Sequence, residues 1–127
     1  MRVAINAAII NSCKILLVKK KETWILPGGK PGKGESDLEC LCREVSEELS
    51  GTQINKIKHY GDFEGITPHT GDQLKAKVYL AEVVGWVNPP SAEITSAEWV
   101  GKYYGEYALS DITLKVVNSL INEGYIN

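Results

Sequence analysis

The stretch CREVSEELSG, residues 42–51, gathers three carboxylates and one guanidinium, from Arg43, Glu44, Glu47 and Glu48. The whole chain has a formal net charge of only -2. On a helix, Glu44 and Glu48 are like-charged neighbours at i and i+4, which costs some tenths of a kcal/mol unless something offsets it. A divalent cation such as Mg²⁺ or Mn²⁺, which prefers carboxylate oxygens, would do so. A solvated face with ion pairs is the alternative, and the spacing alone leaves both open.

The segment GGKPGKG, residues 28–34, precedes this cluster and contains too much glycine and proline for regular structure. Gly28 and Gly29 have no side chains, so a backbone carbonyl there can turn into a metal shell. Backbone N–H groups and the Lys30 ammonium can meet phosphate oxygens. A loop of this kind next to the acidic cluster favours metal and phosphate chemistry.

Residues 29–51 resemble the signature of the Nudix hydrolases, G-x5-E-x7-R-E-U-x-E-E-x-G-U, in which U is a bulky aliphatic residue. The matching positions are Gly29, Glu35, Arg43, Glu44, Val45, Glu47 and Glu48. The chain departs from the pattern at its end, where Ser50 and Gly51 stand in place of the last glycine and the aliphatic residue. We expect this shift to alter the end of the helix without touching a charged position.

The resemblance implies an enzyme that hydrolyses nucleoside-diphosphate-linked compounds with divalent metal ions. By motif position, Glu44, Glu47 and Glu48 would bind Mg²⁺ or Mn²⁺ together with the Gly28 carbonyl, and Glu44 or Glu47 would also serve in catalysis. Arg43 would orient the carboxylates. Glu35 would support the site from the loop, either in an ion pair or through a water to the metal, and its alternative is an acid favoured by the helix dipole.

Other candidate site residues lie outside the signature. Glu93 precedes Trp99 by six residues, a placement similar to the loop glutamate of MutT-type members, and is expected to be a second base or metal ligand. Lys20 and Lys30, with the Gly29 backbone, would contact phosphate. Asp111 either accepts hydrogen bonds from the nucleobase of the substrate or is a helix N-cap.

Trp24 or Tyr79 can stack on a base, with core packing as the alternative. His59 and His69 have no supporting partner in the sequence and are expected to be structural or exposed.

Length and the lack of additions to the core fold favour a MutT-type nucleoside triphosphate pyrophosphohydrolase that releases pyrophosphate. The first rival is an ADP-ribose or nucleoside-diphosphate-sugar pyrophosphatase, suggested by Pro68 near the proline position of such enzymes. A second rival is a Nudix domain that senses nucleotides without catalysis, although the box glutamates are all present. The sequence does not reveal the preferred base or whether the protein is a monomer or a homodimer.

Periodicity predicts the elements that must position these residues. Strands are expected at 2–11, 14–19, 55–63, 73–84 and 98–100, with a short apolar piece at 24–26, a hairpin turn at Asn11-Ser12 and a loop at 85–97. A first helix from Ser36 to about Leu49 begins with an S-x-x-E capping box and is stopped by Gly51. A second runs from about Ser110 to Asn122. The fold class is α+β: a Nudix-like mixed sheet sandwiched between helices.

Composition sets the remaining limits. The 127 residues are expected to form a single Nudix hydrolase domain, 1–127. A pI near 5.7 argues against stable nucleic-acid binding and leaves a small nucleotide as the expected partner. Three cysteines without a C-x-x-C, no convincing signal peptide and no long apolar run predict a cytoplasmic protein without disulfides or membrane spans.

Overall fold

The computed structural model describes residues 1–127 and contains seven strands and two helices. The strands are β1 Arg2–Asn11, β2 Lys14–Lys20, β3 Thr23–Ile25, β4 Gly28–Gly29, β5 Ile54–Ile66, β6 Gln73–Val83 and β7 Ile94–Val100. The helices are α1 Asp37–Glu48 and α2 Asp111–Asn122. The sheet has the order β3-β2-β1-β6-β5, with β4 added to β1 and β7 to β2. β1 pairs with β6 in parallel and with β2 antiparallel, so the predicted mixed sheet is confirmed.

The two helices cover opposite faces of this sheet because β1 is apolar on both sides. Ile5, Ala7 and Ile9 belong to the core cluster that buries Leu41 and Val45 of α1. Ala8 belongs to the second cluster, under the apolar face of α2, which contributes Val116, Val117 and Leu120. A strand buried on both faces, between two amphipathic helices, gives the predicted layered sandwich.

Both helices begin where their capping residues predict. Ser36 caps α1: its hydroxyl accepts from the Glu39 N–H, and the Glu39 carboxylate accepts from the Ser36 N–H, which completes the capping box. Ser110 caps α2 and Asp111 is the first helical residue, so the N-cap alternative considered for Asp111 is wrong. A serine hydroxyl at this position accepts an orphan N–H of the first turn, which leaves the aspartate free for another partner.

The structure corrects several predicted boundaries. The hairpin turn lies at Ser12-Cys13, both at positive φ, because Asn11 still pairs with Lys14. β5 extends to Ile54 and Ile66, with two register shifts that periodicity does not reveal. Leu26 is buried just beyond β3.

Two predicted loops also contain strand. Gly28–Gly29 pairs with β1 as β4. The pairing requires glycine at position 28, because an ideal Cβ there would lie 2.1 Å from the Ile5 carbonyl oxygen. β7 begins at Ile94, inside the predicted 85–97 loop, because Ile94 is buried and pairs with Lys20. Neither helix has the length and apolar character needed to cross a membrane.

Candidate active site

Arg43 is the centre of the charged face of α1. Its Nε and Nη2 donate to the two oxygens of Glu35 at 2.7 and 2.9 Å, a bidentate pair. Its Nη1 donates to Glu44 Oε1 and to Glu47 Oε1, both at 2.9 Å, and its Nη2 donates to the Lys30 carbonyl at 3.2 Å. The planar guanidinium therefore joins the loop to the helix and fixes two carboxylates of the signature.

This pairing explains the electrostatics of Glu35. Hydrogen bonds from Arg43 and from the Gly32 N–H lower the pKa of Glu35 from 4.5 to about 2. The same contact with Glu35, followed by that with Glu47, raises the pKa of Arg43 above its ordinary value. The ion-pair role considered for Glu35 is the one its geometry shows.

The two glycines that open the signature let the backbone approach the carboxylates closely. An ideal Cβ on Gly29 would lie 2.6 Å from the carboxyl carbon of Glu44. The Gly28 N–H donates to Glu48 Oε1 at 3.2 Å. Glu44 and Glu48 therefore both lie against β4, and both line a cleft of about 510 Å³.

Glu48 is the most perturbed carboxyl group of the site. Burial raises its pKa to about 8, the hydrogen bond from the Gly28 N–H lowers it, and the charge of Glu44 raises it again. A partly buried carboxylate next to a second carboxylate is costly to ionise without a cation.

The cleft is also lined by groups from three separate segments. Lys20, at the end of β2, forms an ion pair with Glu93, 2.9 Å between Nζ and Oε2. This contact with Lys20 lowers the pKa of Glu93. His69, between β5 and β6, lies beside them with Nε2 3.4 Å from the Lys20 carbonyl oxygen. Lys20, His69 and Glu93 thus line the same cleft as Glu44 and Glu48.

His69, which was expected to be structural or exposed, is partly buried and also lines the cleft. His69 reaches the cleft because the loop after β5 returns beside β1 and β2, a long-range arrangement that depends on the parallel β1–β6 pairing. The only local signal was its neighbour Pro68, which also lines the cleft.

Three other candidates lie elsewhere or are already engaged. Asp111 Oδ2 accepts from the Ile66 N–H at 3.0 Å, which ties the end of β5 to α2. Trp24 packs edge-on against Tyr107 at 5.2 Å between ring centroids. The Tyr79 hydroxyl donates to Asp37 Oδ2 at 2.7 Å. Neither Trp24 nor Tyr79 lines the cleft, and both pack against the core clusters, which agrees with the core-packing alternative.

The donor set fits a hard divalent cation by its chemistry. Glu44 and Glu48 supply carboxylate oxygens to the cleft, and both lie against β4, from which the Gly28 N–H donates to Glu48. Glu47 is 49% exposed and turned towards Arg43. No three acidic, histidine or cysteine side chains form a compact cluster. The fit therefore rests on the crowding of Glu44 and Glu48 against β4.

Comparison with known proteins identifies the family. The NUDIX domain model matches residues 1–102, so the chain belongs to the Nudix family. A Mycobacterium tuberculosis protein provisionally named 8-oxo-dGTP diphosphatase 2 is 26% identical over 117 residues, covering 78% of this chain and 80% of the relative. An isopentenyl-diphosphate Delta-isomerase from Paenarthrobacter aurescens is 31% identical over 117 residues, but the match covers only 61% of its length.

Solved structures narrow the assignment. The MutT Nudix hydrolase from Burkholderia pseudomallei superposes with a TM-score of 0.74 at 27% identity, covering 92% of this chain and 95% of that one. A Nudix hydrolase from Nitrosomonas europaea gives a TM-score of 0.79 at 19% identity and shows the fold alone. The MutT-type resemblance is thus confirmed, and the enzyme class is a pyrophosphohydrolase acting on nucleoside-diphosphate-linked compounds.

Proposed function

We propose that the protein is a metal-dependent nucleoside triphosphate pyrophosphohydrolase that releases a nucleoside monophosphate and pyrophosphate. The observation that carries the proposal is the cleft itself, which is lined by Glu44 and Glu48 and also by Lys20. Such a cleft offers sites for a cation and for polyphosphate oxygens at the same time. The similarity to the Mycobacterium tuberculosis relative, whose name specifies an oxidised deoxyguanosine triphosphate, supports this substrate class.

The proposed mechanism assigns a role to each residue. Glu44, Glu47, Glu48 and the Gly28 carbonyl would hold Mg²⁺ or Mn²⁺, while Arg43, anchored by Glu35, keeps the carboxylates in position. Bound metal supplies neutralisation of phosphate charge and a more acidic water.

Contacts to the phosphates would come from Lys20, Lys30 and the Gly29 backbone. A water molecule attacks phosphorus, the P–O anhydride bond breaks, and pyrophosphate leaves. The proton that the attacking water loses goes to a carboxylate of the site. This is either Glu44, with Glu47 beside it, or Glu93.

The ion pair between Lys20 and Glu93 links substrate binding to the proposed base. In the structure, Lys20 favours the ionised form of Glu93. A phosphate that attracts Lys20 weakens this contact and so raises the proton affinity of Glu93. The carboxylate thus becomes a better base only when substrate is present. Asp111 stays a predicted contact to the nucleobase of the substrate, although one of its oxygens accepts from the Ile66 N–H of β5.

One observation favours the rival pyrophosphatase for ADP-ribose or nucleoside-diphosphate sugars. Pro68, the residue that suggested this class, lines the cleft next to His69. The products separate the two: pyrophosphate with a nucleoside monophosphate supports our proposal, whereas AMP with a ribose phosphate supports the rival. The test is a nucleotide screen with Mg²⁺ or Mn²⁺, products identified by chromatography, and Glu44→Gln as the matched inactive control. Binding without metal-dependent turnover would support a nucleotide sensor.

We also propose that residues 1–127 act as one Nudix domain, as a monomer or homodimer, on a small nucleotide without stable nucleic-acid binding. Size-exclusion chromatography with light scattering gives the oligomeric state. Cytoplasmic location stays a prediction from cysteine usage.

A further inference from the structure

The end of α1 is built around the position at which this chain departs from the Nudix signature. Ser50 and Gly51 both have left-handed backbone angles, φ 47° and 84°. The Gly51 N–H donates to the Ser46 carbonyl at 2.8 Å, the outer hydrogen bond of a Schellman motif. The residue that usually takes the first left-handed position is glycine, because a Cβ is disfavoured there. Ser50 therefore occupies a position that costs free energy for a residue with a Cβ.

The inner hydrogen bond of this motif would join the Ser50 N–H to the Glu47 carbonyl. Here the Ser91 hydroxyl lies between the two groups. It accepts from the Ser50 N–H at 3.3 Å and donates to the Glu47 carbonyl. The Ser91 N–H also donates to the Glu48 carbonyl at 2.8 Å. A residue far along the chain therefore completes the end of the helix that carries the signature carboxylates.

Ser50 makes its own contacts to the same loop. Its hydroxyl donates to the Pro89 carbonyl at 2.6 Å, and Asn88 Nδ2 donates to the Ser50 carbonyl at 3.0 Å. We call the contacts of Asn88, Pro89 and Ser91 with residues 47–50 the helix-end clamp. A glycine at position 50 would keep the backbone contacts of this clamp and lose the one to Pro89.

The clamp is followed directly by Glu93. The Ile94 N–H donates to the Ser91 carbonyl at 3.1 Å and closes a tight turn, with Ala92 at φ 57°. Ile94 is buried and pairs with Lys20 in the sheet. Glu93 thus lies between two fixed points, the end of α1 and the beginning of β7, and its carboxylate meets Lys20 at 2.9 Å.

We propose that Ser50 and Ser91 are positioning residues that hold Glu93 at the cleft in fixed relation to Glu47 and Glu48. This inference rests on the proposed function, since it requires Glu93 to take part in hydrolysis. The serine that replaces the signature glycine then has a specific use: its hydroxyl binds the loop that carries the second acidic group. The departure from the signature adds a hydrogen bond between the loop that carries Glu93 and the end of α1.

The test is a double-mutant cycle between Ser50→Gly and Glu93→Gln, with nucleoside triphosphate and Mg²⁺. Ser50→Gly should fold, because glycine accepts the left-handed angle, and should lower kcat about 10-fold with little change in KM. In the Glu93→Gln background the same change should lower kcat no further. Ser50→Ala, which keeps the Cβ but lacks the hydroxyl, should match Ser50→Gly in kcat.

Amide exchange supplies a readout that does not depend on turnover. The Ser91 N–H, which bonds to the Glu48 carbonyl, should exchange faster in metal-free Ser50→Gly than in wild type, while buried β1 amides stay unchanged. Full kcat in Ser50→Gly, unchanged exchange at Ser91, or additive losses in the cycle would each overturn the positioning role while the wild-type enzyme remains active. A wild type inactive on every nucleotide would defeat the proposed function and the positioning role together.

Discussion

Replacing Glu48 by glutamine should make the metal-free protein more stable while it removes activity. Glu48 is half-buried beside Glu44, and its pKa rises from 4.5 to about 8. Glutamine keeps the size of the side chain and an oxygen that can accept from the Gly28 N–H, as Glu48 does at 3.2 Å. The substitution therefore removes a poorly solvated charge and preserves the shape of the site.

The magnitude follows from proton linkage. Each unit of pKa displacement corresponds to about 1.4 kcal/mol, so the whole displacement of Glu48 sets an upper bound of about 5 kcal/mol. Solvent reaches the half-buried side chain and screens part of this, so we expect a gain of about 1 to 3 kcal/mol. For a domain of this size, the gain raises Tm by about 4 °C per kcal/mol.

The sign depends on pH. The unfolded chain ionises Glu48 near pH 4.5 and the folded protein near pH 8, so the folded state binds more protons between these values. Wild-type stability should fall as pH rises through this window, whereas that of Glu48→Gln should not. The gain should be small at pH 5 and complete above pH 8.

The assay is urea or thermal denaturation of EDTA-treated protein at pH 5 and pH 8.5, with Glu47→Gln as a matched control. Glu47 is 49% exposed on the same helix, so its substitution should give no pH-dependent gain. Adding Mg²⁺ should stabilise wild type more than Glu48→Gln, and the variant should turn over about 100-fold more slowly or worse. Equal stability of Glu48→Gln and wild type at pH 8.5 would refute the argument from a buried charge.

Three further predictions test other parts of the site. Gly29→Ala should displace Glu44, 2.6 Å from its new Cβ, and lower kcat with a small loss of Tm; Gly28→Ala meets a backbone oxygen at 2.1 Å and should instead destabilise the fold, so equal melting curves would contradict this geometry. Glu35→Gln should reduce stability at neutral pH by loss of the Arg43 pair; the difference from wild type should shrink as pH falls below 4.5 and vanish only below about 2, where the folded wild-type carboxylate becomes protonated too. EDTA should abolish hydrolysis and Mg²⁺ restore it; turnover that persists in chelator would exclude the proposed metal mechanism.

The charged face of α1 was predictable because the residues that determine it are close together in the sequence. The capping box starts α1 at a fixed residue, and helical periodicity then fixes which side of α1 faces the core. With Leu41 and Val45 buried, Arg43, Glu44 and Glu47 must lie on the other side. Their offsets within the signature therefore translate directly into positions around one helix.

The length of the regular elements near the cleft was less predictable because tertiary contacts decide it. Gly28–Gly29 contains no residue that favours a strand, yet it pairs with β1. The close approach to β1 is possible because Gly28 has no side chain. Ile94 stands in a segment rich in turn residues, and burial between α1 and β2 draws it into β7. In both places local propensity is overruled by what the neighbouring strand requires.

The cleft residues on α1 and those from the other segments place different constraints on the sequence. The acidic face of α1 needs a fixed set of offsets on one helix, because Arg43 bonds to Glu35, Glu44 and Glu47 at the same time. Lys20, His69 and Glu93 come from three separate segments, and each can vary without moving α1. The helix-end clamp is the exception, since through Ser91 it joins the Glu93 loop to the carbonyls of Glu47 and Glu48. We therefore expect variation in substrate preference at Lys20 and His69, whereas Glu93 is tied to the end of α1 through Ser91.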